Sequence, residues 1–511
     1  MILTIISFAL IFTAIVVIHE LGHFLFARLF KVRILSFGIG FGPALYRKKT
    51  ASGMDFKVNL FPLGGYVRMD GEDPTEINDS ISEEKKRGFY YSKPAWQRFV
   101  IALAGPAFSI LAGYLLLSVV ALFWGIPQVG IAKVDLFSPA QEAGLKADDI
   151  ISKLNGRILF DTDELSTTIK NSESVDLTIT RGDRQENITV YPKVFPRQYE
   201  MIIKGESIPQ DLRLSEIKSV NGVSLDEMDL SEYSGEEIVI ETQAGVQIRG
   251  ILSGYQLIKE RKVIGIEYKT LSKTLKSAEA PFKDGDVILR INGNEIKKGN
   301  DLFTILRFMD FPVDPQIPYH YLSIRDSTIL DIDSMKSLNT VSVQVKRNGE
   351  NTALEMPSEV FINALGNSFF APPVNNKQTI NPFLAVSWGF QWANNLLRRM
   401  GTIIANIFTG EQRVSEFSGP VGIVNVIGQA TRAGFESLVL IFALITLNLG
   451  IINLIPLPAL DGGRIVFNLI EMFSRKKINP VIEGYIHAAG FFFIMALAVY
   501  ITYFDIMRFM R

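Results

Sequence analysis

Two histidines and a glutamate near the start of the chain have the spacing of a metal-dependent hydrolase. His19, Glu20 and His23 form the pattern HExxH. On an α-helix, side chains four residues apart lie on one face, so the two imidazoles can bind one zinc ion. The glutamate beside them is in position to act as a general base. This spacing predicts hydrolysis of an amide bond.

The residues around this motif are apolar. No charged side chain occurs from Met1 to Ile18, and Phe24, Leu25 and Phe26 follow the motif. A charge in the middle of a membrane-spanning helix costs roughly 2.5 to 3.5 kcal/mol on insertion scales, so polar groups there usually have a function. We therefore predict a metal site inside a membrane helix, and we reject a chance match in a soluble helix.

The composition favours a membrane protein with a large water-soluble part. The chain has 511 residues, 48% of them hydrophobic, and a net charge of -1. Because the charge is close to zero and no zinc-finger or helix-turn-helix pattern occurs, nucleic acid is not expected as a partner. The sequence contains no cysteine, so any metal ligands must be His, Asp or Glu.

Four apolar stretches are long enough to span a bilayer, namely 1–27, 96–125, 436–458 and 486–508. The first lacks the basic start and the small-residue cleavage site of a signal peptide, so we expect a retained helix. Lysine and arginine are concentrated in 28–95 and 459–485, which the positive-inside rule assigns to the cytoplasm. The long segment between the second and third stretches would then be periplasmic.

The segment 28–95 contains strand-like patterns bounded by glycines. Asp55 to Leu60 alternates in polarity, and the sequence FPLGGYV follows it. Such a pattern is typical of strands joined by tight turns. A membrane-associated β-hairpin beside the metal site could bind an extended peptide along an open edge. A hairpin with only a packing role is the alternative. The substrate contacts expected from this region are Gly38, Gly40, Phe61, Pro62, Gly64 and Gly65.

The outer segment contains two similar stretches. Ser138 to Gly156 reads SPAQEAGLKADDIISKLNG, and Ala280 to Gly293 reads APFKDGDVILRING. Each leads into a short helical pattern and a closing strand. These patterns are typical of PDZ domains, which are α+β modules that bind peptides by edge addition. We predict two PDZ domains, at 127–196 and 262–360, with an insertion near 311–338 in the second.

Two further parts of the chain allow alternative interpretations. Residues 197–261 are strand-like and could be a small β-unit of their own, a linker, or an elaboration of the PDZ pair. Residues 380–435 are helical, and Trp388, Phe390 and Trp392 lie near two arginines. We expect amphipathic helices at the outer membrane surface here, although ordinary packed helices fit nearly as well.

A catalytic zinc site usually has three protein ligands and an open position for water. No histidine follows His23 at a suitable spacing; His320 is expected at the surface of the outer segment and His487 in a packing role. Asp461 is the stronger candidate, because it directly follows a long apolar run and lies between prolines and a Gly-Gly pair. The first and third spans both run inward, so His19 and Asp461 should reach the same depth.

Taken together, these motifs resemble the site-2 proteases, a family of intramembrane zinc metalloproteases. Within this family, the resemblance is closest to the bacterial proteases of the regulator of sigma-E type, which have four spans and tandem outer PDZ domains. It is carried by motifs along most of the chain, namely HELGH, GFG, FPLGGYV, AGP at Ala104 to Pro106, SGPVGI at Ser418 to Ile423, and NLIPLPALDGG at Asn453 to Gly463.

The resemblance implies roles for individual residues. His19, His23 and Asp461 would bind Zn²⁺, and Glu20 would be the general base. Asn453 would lie in the active-site cavity, against the substrate backbone or the developing oxyanion.

The resemblance also implies a substrate class and a location. The expected reaction is cleavage of transmembrane segments of single-span proteins in regulated intramembrane proteolysis. An anti-sigma factor already cut by a first protease, as in an envelope stress response, and remnant signal peptides are the expected substrates. The expected location is the bacterial inner membrane, with periplasmic PDZ domains that obstruct bulky outer domains.

Two other functions fit parts of the sequence. One is a catalytically inactive membrane scaffold whose PDZ domains bind envelope peptides. The other is a zinc peptidase that acts on soluble peptides at the membrane surface. Intact His19, Glu20, His23 and Asp461 argue against the first, and the apolar setting of both ligand segments argues against the second.

Overall fold

The computed structural model divides the chain into two units. One unit consists of Met1–Gly125 and Gln378–Arg511, and the other of Ile126–Lys377. Ser418 and much of the insertion predicted near 311–338 lie outside the described residues. The structure describes all residues except 1, 73–85, 136–137, 196–197, 206–216, 225–228, 244, 259–260, 271, 298, 300, 303–304, 306–318, 324–327, 333–339, 371–373, 380, 410–418 and 510–511.

Within the described residues, four helices of the first unit are apolar and long enough to cross a bilayer, which confirms the predicted number. Their candidate spans contain 20 to 29 residues, or about 30 to 44 Å at 1.5 Å per residue, against a hydrocarbon core of about 30 Å. Only 11% to 39% of the most apolar window of each is buried inside the protein, so most of these side chains are available to lipid. The first to fourth apolar helices are Ile2–Leu29, Ala95–Phe123, Phe435–Leu454 and Pro480–Phe509.

The described part of this unit contains three further long helices, namely Pro382–Thr409, Pro420–Ala433 and Asp461–Ser474. Trp388 and Trp392 of the first of these are buried. Phe390 contacts Tyr114 of the second apolar helix, with ring centroids 4.7 Å apart. These contacts are those of an ordinary packed helix, which was one of the two alternatives. A position at the outer membrane surface stays a prediction.

The segment after the first apolar helix forms two long strands, β1 (Ile34–Lys49) and β2 (Asp55–Met69). Each strand bends in its middle, where Gly40 and Gly64 have φ values of +77° and +99°. Because of the bends, residues 36–39 pair with 65–68 in descending order on one side and with 55–58 in ascending order on the other. Among the described residues, the end of β2 from Gly65 to Met69 is therefore an edge of this sheet.

The second unit contains two modules with similar strands. The first module has the sheet order Ile266–Tyr268, Val129–Val134, Ile150–Leu154, Val175–Arg181 and Arg184–Val190, together with the short strand Arg157–Ile158 and the helices Pro139–Glu142 and Thr162–Asn171. The second module has the order Asn294–Glu295, Val287–Ile291, Thr340–Arg347 and Glu350–Pro357, a separate pair Leu275–Ser277 and Phe369–Phe370, and the helix Ser358–Asn367.

Equivalent ion pairs in the two modules indicate that the modules have the same architecture. In the first module, Arg181 Nε donates to Asp149 Oδ1 at 2.7 Å. In the second module, Arg347 Nη2 donates to Asp286 Oδ2 at 2.7 Å. The two aspartates are 1% and 0% exposed, and each directly precedes a strand within its repeated stretch, Ile150–Leu154 in the first module and Val287–Ile291 in the second. The similarity predicted from the two sequence stretches therefore extends to their buried contacts.

Loss of the Arg347 guanidinium is expected to destabilise the second module. In the Arg347→Met variant, Asp286 would be a buried carboxylate without its partner, which typically costs about 3 to 5 kcal/mol. Hydrogen exchange of the full-length protein would report this loss as faster exchange in Thr340–Arg347. Exchange in Val175–Arg181 of the first module should not change, and this strand is the internal control. Equal exchange of Thr340–Arg347 in variant and wild type would contradict the prediction.

The same ion pair gives a stability dependence on pH. Burial opposes ionisation of Asp286, but its bonds to Arg347 and to the N–H of Lys283 outweigh burial and hold its pKa below the ordinary value. A lowered folded-state pKa contributes stability above the unfolded pKa of about 3.9, and this stability is lost as pH falls through the folded pKa.

A third sheet in this unit joins two segments that are distant in the sequence. Its order is Ile217–Val220, Glu237–Thr242, Gln247–Ile258, Gln198–Gly205, Tyr319–Ser323 and Thr328–Asp331. A 3₁₀ turn at Leu230–Tyr233 covers its core. The region 197–261 and the insertion predicted near 311–338 thus contribute to one sheet. His320 lies in this sheet and is 4% exposed; its expected surface position was wrong, because it is two residues before the core residue Leu322 and therefore lies on the same, covered face of its strand.

Short strands close the ends of the first insertion. Lys193–Phe195 pairs with Arg261–Val263, and Ile266–Tyr268 then pairs with Val129–Val134. Residues 198–258 are therefore inserted within the first module. The border predicted between 261 and 262 falls inside one of these short strands.

Candidate active site

The two histidines of HExxH and Asp461 converge on one point. Asp461 is the first residue of the helix Asp461–Ser474. Its Oδ2 atom lies 3.0 Å from His19 Nε2 and 3.4 Å from His23 Nε2. The two Nε2 atoms are 3.3 Å apart. Among the described residues, these three form the group of His, Asp and Glu side chains with metal-binding spacing.

The dimensions of this triangle fit zinc. Zinc has bond lengths of about 2.0 to 2.1 Å to His and carboxylate ligands, so the edges of its coordination tetrahedron are about 3.3 to 3.4 Å. The three observed separations, 3.0, 3.3 and 3.4 Å, are close to this edge. Two nitrogens and one oxygen could therefore hold a zinc ion as three of its ligands, and water or substrate would supply the fourth.

Contacts from the second apolar helix orient both imidazoles. His23 Nδ1 lies 2.8 Å from the carbonyl oxygen of Ile101. Because a carbonyl only accepts, Nδ1 must donate, and the lone pair of a neutral ring is then on Nε2, which faces Asp461. His19 Nδ1 lies 3.1 Å from Oγ of the fully buried Ser109. Ser109 was not among the residues predicted from the sequence, although a serine within an apolar span is a usable signal.

The surroundings of Asp461 favour its carboxylate form. Burial opposes its ionisation, but charge and hydrogen bonds from His23 and His19, when these rings carry a proton on Nε2, hold the pKa of Asp461 below its ordinary value. An ionised carboxylate is the form that binds a metal. The Gly-Gly pair after it permits a tight approach, because a Cβ atom at Gly463 would lie 2.6 Å from the carbonyl oxygen of Leu457.

Gly105 determines how closely the first and second apolar helices pack at the metal site. A Cβ atom at this position would overlap the imidazole of His23. The sequence AGP therefore places the smallest residue where the side chain of a candidate metal ligand needs space.

The Gly105→Ala variant is expected to bind zinc at least about tenfold more weakly, since the displaced His23 ring would lose its alignment, and loss of orienting contacts typically costs 10- to 100-fold in affinity. Competition with a zinc chelator would measure this change in the full-length protein. Gly401→Ala is the matched control, because apart from its chain neighbours and its own helix backbone no atom of the described residues lies within 4 Å of that Cβ position. Equal zinc affinity of both variants would contradict this account of Gly105.

A cavity of about 290 Å³ lies beside the donor triangle. Its walls come from the first, second and fourth apolar helices, from the end of β2 and the segment after it, and from the loop and helix around Asp461. Glu20, His23 and Asp461 line it on the metal side, and Val67 and Met69 line it on the strand side. The cavity is therefore a slot between the metal-binding atoms and the edge of the hairpin sheet.

Glu20 bridges the metal side and the strand side of this slot. Its Oε2 atom accepts a hydrogen bond of 3.1 Å from the backbone N–H of Val67. The carboxylate therefore lies where a general base would be needed, within reach of both the donor triangle and an extended chain placed in the slot.

The six expected substrate contacts lie in the same hairpin but do not line the described cavity. Gly38 is in the inner strand and pairs on both sides. Gly40 and Gly64 are at the bends of β1 and β2, and Phe61 and Pro62 precede Gly64 in β2. Gly65 begins the edge, next to Val17 of the first apolar helix. The residues that line the cavity are their neighbours Tyr66, Val67 and Met69.

Asn453 and His487 differ in their relation to the slot. Asn453 is half-buried near the end of the third apolar helix and is not among the described residues that line the cavity. His487 does line it, and its Nδ1 accepts a hydrogen bond of 2.8 Å from the N–H of Ala459. Since Ala459 has a φ of +75°, this contact stabilises a strained turn two residues before Asp461.

Polar residues missed by the sequence analysis close the far end of the cavity. Arg464, one helical turn after Asp461, forms an ion pair with Glu72 just after β2. Tyr90 also lines the cavity, and burial raises the pKa of Tyr90 to about 12. The tyrosine is therefore a neutral donor at physiological pH. The available signal for Glu72 was its position as an acidic residue just after a predicted strand, in the segment that follows the HExxH helix.

Apolar spanning helices, an HExxH helix and an acidic third donor from a distant helix define the class of membrane metallopeptidases. The chain belongs to peptidase family M50, the site-2 protease family, whose pattern matches residues 7–497. This assignment confirms the predicted resemblance, and the protein is a zinc metalloprotease.

Relatives along the full length agree with this assignment. A Thermotoga maritima protein named "Putative zinc metalloprotease" is 39% identical, with 99% of this chain and 100% of the relative covered. The "Probable protease eep" of Enterococcus faecalis is 26% identical, with 99% of each chain covered. The "Protease RseP" of Yersinia pestis is 27% identical, with 93% of this chain and 92% of the relative covered.

Proposed function

We propose that this protein is an intramembrane zinc endopeptidase that cleaves transmembrane segments of single-span proteins. The observation that carries the proposal is the slot itself. His19, Glu20 and His23 are on an apolar helix long enough to span a bilayer, and the cavity beside them is bounded by the edge of a β-sheet. A sheet edge binds extended backbone, and a substrate helix must become extended before its amides can be attacked.

In this proposal His19, His23 and Asp461 hold the metal, and Glu20 is the general base. Bound zinc supplies a Lewis acid that polarises the scissile carbonyl and lowers the pKa of water towards 7. Glu20 takes a proton from the attacking water at its carboxylate and passes it to the leaving amine. Ile101 and Ser109 keep the imidazoles oriented through their Nδ1 atoms. Asn453 would contact substrate backbone or the developing oxyanion, as the family resemblance implies.

The hairpin sheet binds the substrate in an extended form. The edge from Gly65 to Met69 would pair with the substrate backbone, and the bends at Gly40 and Gly64 would give the sheet the curvature needed to follow the slot. The residues Gly38, Phe61, Pro62 and Gly65 then act by shaping this edge or by contacting parts of the substrate beyond the cavity.

The two modules of the second unit are proposed to be periplasmic PDZ domains that select trimmed substrates. The basic segments 28–95 and 459–485 support a cytoplasmic location for these loops, and thus an outer location for the modules in the bacterial inner membrane. Substrates would be an anti-sigma factor after a first cleavage and remnant signal peptides. PDZ domains at this position would bind envelope peptides or obstruct bulky outer domains.

Mapping of the cleavage site tests this function. The purified full-length protein would be reconstituted with a tagged single-span substrate, and the products would be identified by mass spectrometry. We expect cleavage inside the apolar segment, nearer its cytoplasmic end. Cleavage confined to a soluble loop would instead support a surface peptidase, and absence of cleavage with stoichiometric zinc bound would support the inactive scaffold.

A further inference from the structure

The edge of the hairpin sheet at the slot has its own hydrogen-bond pattern. Residues 65–68 pair with 36–39 on one side, and no other strand pairs with them in the part of the chain that the structure describes. In a β-strand, the N–H groups of alternate residues point to the same side. The N–H of Val67 points towards Glu20, away from β1, so the N–H of Met69 is expected to point the same way.

Two carboxylates accept hydrogen bonds from these two N–H groups. Glu20 Oε2 accepts from Val67 N at 3.1 Å, and Glu72 Oε2 accepts from Met69 N at 3.4 Å. Both glutamates line the cavity. An unpaired strand edge would otherwise expose these donors inside an apolar setting, where unsatisfied N–H groups are costly. The edge is therefore closed by side chains in the absence of a peptide.

The geometry of these donors matches an extended peptide. Two residues of a β-strand advance by about 6.6 Å, so the Val67 and Met69 donors are spaced like alternate carbonyl groups of a paired strand. A peptide that adds to this edge must take both N–H groups. It can do so only if Glu20 and Glu72 release them.

We propose that Glu20 and Glu72 form a latch on the substrate-binding edge, and that an extended substrate opens it by taking the N–H groups of Val67 and Met69. This proposal rests on the function proposed above, since it requires the slot to bind the substrate backbone. Once released from Val67, Glu20 is free to turn towards the attacking water. Glu72 remains held by Arg464 after its release from Met69. Glu20, the proposed base, is thus released only when a substrate chain pairs with this edge.

Glu72 is a positioning residue in this scheme. It holds the edge closed through one oxygen and anchors to Arg464 through the other. Arg464 is on the same helix as Asp461, one turn further along. The latch therefore connects the strand side of the slot to the element that carries the third metal-binding donor.

Peptide binding to the metal-free, full-length protein in detergent micelles tests the latch without any cleavage. The probe is a fluorescent peptide of alternating valine and threonine, and its affinity is measured by anisotropy. Glu72→Ala removes a competitor for the Met69 N–H, so we expect binding to tighten by about fivefold, as one net hydrogen bond of about 1 kcal/mol implies. A merely structural role of Glu72 predicts weaker or equal binding, and either result would overturn the proposal.

Arg464→Met is the matched control for Glu72→Ala. It breaks the same ion pair but leaves Glu72 free to remain on the Met69 N–H. Binding should therefore not tighten in this variant. If it tightened as much as in Glu72→Ala, the loss of the ion pair would explain the effect, and the latch would be wrong.

Removal of the Val67 N–H provides a second test. Proline is tolerated on an edge strand where the N–H does not join the ladder, so Val67→Pro deletes this donor. In the latch this N–H is bonded to Glu20 in the free protein and to the peptide in the complex. Its loss therefore removes one bond from each state, and we expect peptide binding within about twofold of the Val67→Ala variant, which keeps the N–H and controls for the shorter side chain. Binding about fivefold weaker in Val67→Pro than in Val67→Ala would show that Glu20 does not occupy this N–H in the free protein, and would overturn the latch. A wild-type protein that cuts no membrane substrate would instead refute the proposed function.

Discussion

The Glu20→Gln variant is expected to lose proteolysis while it retains zinc. Glutamine has nearly the same shape as glutamate and can remain beside the Val67 N–H, but it cannot accept the proton of the attacking water. General-base catalysis typically contributes 10²- to 10⁴-fold, so the cleavage rate should fall by about this factor. The rate would be measured with a reconstituted single-span substrate, and the zinc content by mass spectrometry of the same sample.

A matched control for this variant is Glu436→Gln, in the first turn of the third apolar helix. It makes the same chemical change in the same unit but is not among the described residues that line the cavity. It should retain zinc and near wild-type cleavage. Near wild-type cleavage by Glu20→Gln would rule out Glu20 as the base and would require another proton acceptor in the slot.

The Asp461→Asn variant is expected to lose zinc itself. The neutral amide is a poor metal ligand, and only the two imidazoles would remain in the donor triangle. Since even loss of an orienting contact typically weakens metal binding 10- to 100-fold, loss of a donor should weaken it by more than about 100-fold. Zinc content after dialysis against a weak chelator would show this directly, and cleavage should disappear in parallel.

Asp505→Asn provides the matched control for Asp461. Asp505 is also a buried carboxylate of the first unit, but its Oδ2 accepts from the N–H of Gly422 and belongs to the fourth apolar helix. Its replacement should leave the zinc content unchanged. Stoichiometric zinc in Asp461→Asn would show that another residue completes the site, with His487 the first to be examined.

For the hairpin, the sequence pattern predicted the strands but not their order in the sheet. Alternation from Asp55 to Leu60 and the glycines around it predicted strands and turns, and the structure has β1 and β2 there. The pattern could not reveal which edge is open, because the bends at Gly40 and Gly64 place residues 36–39 between the two halves of β2. The residues beside the cavity are consequently Val67 and Met69, a few positions beyond those expected.

In the second unit, too, one part of the fold was predictable from the sequence and another was not. Repeated short motifs predicted two related modules, and both contain the same buried Arg–Asp pair. The third sheet was not predictable from local patterns, because its strands come from residues 198–258 and 319–331. Pairing between such distant segments depends on side-chain packing across the sheet, which a linear sequence does not display.

For the proposed metal centre, the sequence by itself determined the chemistry of the candidate donors. The HExxH spacing fixes two imidazoles and a carboxylate on one helix, and the absence of cysteine limits the third donor to His, Asp or Glu. The apolar setting made Asp461 prominent, because a charge there is costly unless it has a partner. These inferences require only helical periodicity and the energetics of burial.

Only the tertiary structure decided the geometry that makes these residues a site. Distances of 3.0 to 3.4 Å among His19, His23 and Asp461 result from the packing of helices that are more than 400 residues apart in the sequence. The contacts of Ser109, Glu72 and Val67 likewise depend on which surfaces meet. Such contacts are set by the shapes of facing side chains and by close approach at glycines, and neither property is encoded in the local pattern of polarity.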